Sequence, residues 1–168
     1  MPLSNKPETE VLVTADCWQR ENGTEAVIHR AIEAAAAMVD AETSDTELAI
    51  MLTDDDGIRT LNKNWRGIDK PTNVLSFPAL QPTGPRDDDA PRMLGDIAIA
   101  YQTTRAEADA ERKPFENHLS HLAVHGFLHL VGYDHEKDGD AEIMEELERK
   151  ILAQLGIPDP YAIEGQVN

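Results

Sequence analysis

The chain has 168 residues, with 32 Asp and Glu against 15 Lys and Arg and a formal net charge of −17. That length suits one hydrophobic core, and that charge argues against indiscriminate attraction to nucleic acid or anionic membranes. A single cysteine, Cys17, makes no internal disulfide, so a bound metal would need histidine and carboxylate ligands.

The amino terminus, MPLSNKPETE, lacks a basic segment followed by a long apolar run. The longest apolar stretch, Ala34 to Val39, falls far short of the ~20 residues of a membrane span. A cytoplasmic protein with no membrane association is expected. Residues 10–18 read as a first strand, and Glu25 to Val39 as a helix with Val27, Ile28, Ile32, Ala35 and Val39 at helical spacing. The apolar run 47–54 predicts a buried strand, after which Asp54 to Asp56 offer an N-cap for a helix reaching about Trp65. Further strands are expected at 72–78, closed by Pro78, and at 94–100. Between them lies ALQPTGPRDDDAPRM (79–93), rich in Pro, Gly and Asp, whose composition predicts a disordered or functional loop. Three helices follow: Gln102 to Arg112, one begun by Pro114 that carries the histidines, and Asp140 to Leu155, stopped by Gly156 and Pro158. The expected class is α+β: a small mixed, mostly parallel four-stranded sheet with about five helices, the histidine helix central. Residues 1–168 read as one domain, with 1–9 and 162–168 as frayed tails and the last dozen residues as a docked or frayed end.

The segment HGFLHLVGYDH, 125–135, holds three of the six histidines. His125 and His129 stand at i and i+4, one turn apart, so both rings can reach one ion at the ~2.0–2.1 Å of a Zn–N bond. His121 cannot join both on a straight helix, since eight residues rise about 12 Å. Gly132 supplies a turn that brings the following residues back, which makes His135 the natural third ligand and Asp134 the alternative. Three protein ligands with an open fourth position describe a catalytic zinc site. The spacing H-x-x-x-H-x-x-G-x-x-H matches metzincin peptidases except that Gly126 stands where their general-base Glu belongs. That substitution moves peptide hydrolysis to second place.

Together with WRGIDKPTNVLSFP (65–78), LGDIAIA (94–100) and DPY (159–161), the histidine segment resembles the YbeY family, bacterial endoribonucleases of ribosomal RNA maturation. The resemblance runs from Leu48 to Tyr161. It implies a single zinc ion held by His125, His129 and His135, and an essential arginine at Arg66. It also implies metal-dependent, single-strand-specific endoribonuclease activity at the 3′ end of small-subunit ribosomal RNA, with a part in ribosome quality control. The partners it implies are ribosomal RNA, the small ribosomal subunit and assembly factors.

A zinc ion and a guanidinium both suit the charge that builds on phosphate oxygens during cleavage, and the planar fork of Arg66 can grip phosphate through two donors. Arg59, Lys63, Arg66 and Lys70 would share one face of a helix continued past Trp65, forming a phosphate track or, equally, a solvated face. Asp96 is a candidate to orient a zinc-bound histidine, or else a turn residue. His118 and His121 read as polar core-edge residues, and Ser76 is given no catalytic part. Trp65 and Tyr133 are either base-stacking or core aromatics. Two rival readings remain: a zinc hydrolase of a peptide or amide, and a non-catalytic assembly factor stabilised by its metal.

Overall fold

A computed structural model of the chain describes residues 6–40, 43–79, 92–133 and 138–161. Most of the expected loop (80–91), the stretch with Asp134 and His135 (134–137), and the ends (1–5 and 162–168) lie outside the described residues.

Strand β1 (Glu8–Val13) begins inside the stretch expected to fray, because Glu8 and Thr9 pair with Glu47 and Leu48 of β2 (Thr46–Thr53). It ends at Val13 rather than Trp18. Its register runs out where Val13 meets Leu52, and Thr14 closes the pairing with its amide and hydroxyl on the Leu52 carbonyl. A short 3-10 helix (Asp16–Arg20) then turns Trp18 inward, where its indole N–H donates to the Thr53 carbonyl at 2.7 Å and its ring meets the edges of Tyr101 and Phe115.

Helix α1 (Thr24–Met38) buries Val27, Ile28, Ala31, Ile32, Ala35 and Ala36, the face its periodicity predicts, and links β1 to its parallel neighbour β2. Asp54 caps α2 (Asp55–Arg66) by accepting from the Gly57 amide at 2.8 Å. Strands β3 (Val74–Pro78) and β4 (Arg92–Ala100) complete a sheet of order β1-β2-β4-β3. β2 is parallel to both its neighbours and edge strand β3 runs antiparallel to β4, giving the mixed, mostly parallel sheet expected. Helices α3 (Tyr101–Ala110), α4 (Phe115–Leu130) and α5 (Asp138–Gln154) follow.

Alternation along the strands assigns their two faces. Ile97 and Ile99 join α1, α4 and α5 in the main core, while Leu75, Ala98 and Ala100 meet Ile58 of α2 in a smaller cluster on the other face. Helix α4 is buried on nearly every side, from Phe115 through Leu119, Val124 and Phe127 to Leu130, and is the central helix the sequence predicts.

Candidate active site

The last turn of α4 sets the site's geometry. Gly132 takes a left-handed φ of 104°. Its amide bonds the His129 carbonyl and the Tyr133 amide reaches back to Leu128, so the chain leaves α4 by the turn expected of this glycine. His125 and His129, one turn apart on α4, bring their Nε2 atoms to 3.2 Å. Two nitrogens each ~2.05 Å from one ion at a near-tetrahedral angle stand about 3.3 Å apart, so this pair fits a shared metal. Among the described residues no third donor completes a set of three. Both sequence candidates for it, His135 and Asp134, lie outside them.

Behind the pair sits Glu148 of α5, fully buried (0% exposed). Its Oε1 lies 2.6 Å from His125 Nδ1. Burial works to raise the Glu148 pKa, but the His121 and His125 rings outweigh it and hold the carboxyl at about 2. An ionised carboxylate there makes His125 Nδ1 the donor and leaves the Nε2 lone pair directed at His129. The second Glu148 oxygen accepts from the Tyr161 hydroxyl, which also lies 3.2 Å from His121 Nε2. Burial first, then the carboxylate bond, raises the Tyr161 pKa and keeps the phenol protonated. Tyr161 reaches this position because α5 is followed by a turn at Gly156 (φ 75°), which sends the tail back along the helix. There Asp159 pairs with Arg149 and accepts from the Tyr161 amide, and the Arg149 guanidinium lies over the Tyr161 ring. The tail is docked at least as far as Tyr161.

His121 faces Tyr161 and Glu148 rather than the nitrogen pair, as its spacing predicts, and its buried Nδ1 has no partner among the described residues. His118 lies deeper, with Nε2 2.8 Å from Glu107 and burial lowering its pKa.

Two expectations are corrected. Asp96 orients neither His125 nor His129: it is exposed, and its cross-strand partner Phe77 belongs to the α2 face, whereas Ile97 beside it faces α4. The orienting carboxylate is Glu148, which sequence reading missed. Its signal was a charged residue at helical spacing among Met144, Ile151 and Leu152, all buried. The four-residue phosphate track is also broken, because α2 stops at Arg66, Gly67 turns left-handed (φ 72°) and Lys70 falls off the helix. Arg59 is engaged with Asp69 at 2.8 Å. Finally, a Cβ on Gly126 would meet Ile97 Cγ2 at 3.0 Å and Ser76 Oγ at 3.2 Å. This position faces the sheet, so a peptidase-type Glu has no room there. Ser76 serves structure, donating to the Gly126 carbonyl at 3.0 Å.

Arg66 ends α2 on the opposite face of the sheet from α4, and both helices border β3. Its side chain is exposed, and Nη1 makes one long bond, 3.4 Å, to Asn62.

The sequence profile of a family described as endoribonuclease YbeY matches residues 13–156. Endoribonuclease YbeY of Rhodopseudomonas palustris (strain BisB18) is 76% identical over 162 residues, covering 96% of each chain. The protein of that name from Bradyrhizobium sp. (strain BTAi1) is 74% identical over 163 residues, again covering 96% of each. A solution structure of a Thermotoga maritima protein, 25% identical, matches this fold with a TM-score of 0.59 over 92% of this chain and 99% of its own. Identity of this order along nearly the whole chain shows that it belongs to the YbeY family of endoribonucleases, hydrolases that cut RNA.

Proposed function

We propose that this single-domain chain is a zinc-dependent, single-strand-specific endoribonuclease that matures the 3′ end of small-subunit ribosomal RNA and contributes to ribosome quality control. Its setting is the cytoplasm, and its partners are the small ribosomal subunit and assembly factors. The observation that carries the reading is the convergence of His125 and His129 Nε2 at 3.2 Å, with His125 fixed from behind by buried Glu148. His125 and His129 would hold the zinc with His135 as third ligand. When bound, zinc polarises phosphoryl oxygens and lowers the pKa of water.

The chain's own groups do the rest. Glu148 fixes the His125 tautomer and ring, and Tyr161 holds Glu148 in place. Arg66 neutralises charge developing on the scissile phosphate, a role its exposed, forked guanidinium suits. The test is cleavage of single-stranded RNA by the zinc-loaded chain and by Arg66→Ala. Loss of one transition-state contact of this kind lowers the rate about 10²–10³-fold with metal content unchanged. Equal rates would remove Arg66 from the mechanism.

A further inference from the structure

Trp65 is 73% exposed at the last turn of α2, whereas the other tryptophan, Trp18, is 2% exposed. The surroundings of this exposed aromatic are as uneven as its exposure. Segment 59–70 carries four cations, Arg59, Lys63, Arg66 and Lys70, and one carboxylate, Asp69, in a chain of net charge −17. Asp69 is taken by Arg59, and Lys63, Arg66 and Lys70 are exposed around the ring's place in sequence with no salt bridge among the described residues. Ile68, three residues further on, is also exposed.

Contacts tie this patch to the active site across edge strand β3. The Trp65 ring packs edge-on to Phe77, with centroids 6.2 Å apart. The next residue back, Ser76, points to the other face and bonds the carbonyl of Gly126, the neighbour of His125. An exposed indole among cations that make no salt bridge among the described residues, across edge strand β3 from α4, matches the chemistry of single-stranded nucleic acid, which offers stacking faces and phosphates together.

We propose that Trp65, flanked by Lys63 and Lys70, is a stacking platform for one unpaired base of the RNA strand, and that the strand crosses edge strand β3 between this platform and the histidines. The inference rests on the reading of the chain as a ribonuclease and adds where its substrate is gripped. A double helix cannot present a base face to Trp65, so the platform would favour single strands.

The test uses the full chain with an oligoadenylate of about ten nucleotides, within the span of small single-strand sites, and with an abasic oligomer of equal length. Acrylamide quenching reports Trp65, because Trp18 is buried. Oligoadenylate should protect Trp65 and the abasic oligomer should not. Trp65→Ala should weaken oligoadenylate binding about tenfold, the loss of one stacked base, and Trp65→Phe should restore most of it. Equal protection by the abasic oligomer, or unchanged affinity in Trp65→Ala, overturns the platform. Cleavage measured alongside separates the two claims: unchanged affinity with intact cleavage overturns the platform and leaves the ribonuclease standing. Base-dependent protection without any cleavage by the wild type upholds the platform and overturns the ribonuclease.

Discussion

At the scale of single residues, Glu148 links the fold to the proposed chemistry. A fully buried carboxylate is costly unless its oxygens are satisfied, and here both are, by His125 and by Tyr161. Glu148→Gln keeps the shape and removes the charge that sets the His125 tautomer. It should weaken zinc binding about 10–100-fold in a chelator competition, and wild-type affinity would show that Glu148 only fills space. The pairing of His125 with His129 was legible in the sequence because i and i+4 share a helix face whatever the tertiary structure does. The Glu148 contact was not, since it depends on how α5 lies against α4. Asp96 looked suitable for the same reason in reverse: its chemistry was right, and only the pleat of β4 decides that it faces away.

At the scale of elements, local signals carried furthest where backbone geometry alone decides. Asp54 caps α2 and Gly132 turns the end of α4 as their residue types predict. The end of β1 was misread because nothing in residues 14–18 says that the ladder with β2 ends at Leu52. The phosphate track failed at a signal present in the sequence, Gly67, which ends α2 before Lys70 can join its face. Helix α4 approaches the sheet closely enough at Gly126 that one added methyl group presses on Ile97 and Ser76. Gly126→Ala should therefore destabilise the chain by about 1–3 kcal/mol, read as a lower midpoint in denaturant unfolding. An unchanged midpoint would mean that α4 can shift off the sheet at no cost.

At the scale of the whole molecule, net charge and function pull in different directions. A chain of net charge −17 repels RNA at long range, yet screening over ~8 Å lets a local cluster act on its own. With Arg59 tied to Asp69, the cluster reduces to Lys63, Arg66 and Lys70. About three phosphate contacts on single-stranded RNA predict a slope of log affinity against log salt of about −2. A slope near zero would leave the cluster without a role in binding.

The central claim is that His125, His129 and His135 hold one zinc ion. Elemental analysis of the purified wild type beside His125→Ala, His129→Ala and His135→Ala tests it directly. The account predicts roughly one zinc per wild-type chain and its loss in all three variants. Zinc retained in full by His135→Ala would move the third ligand to Asp134 or elsewhere, and a wild type without stoichiometric metal would contradict the account.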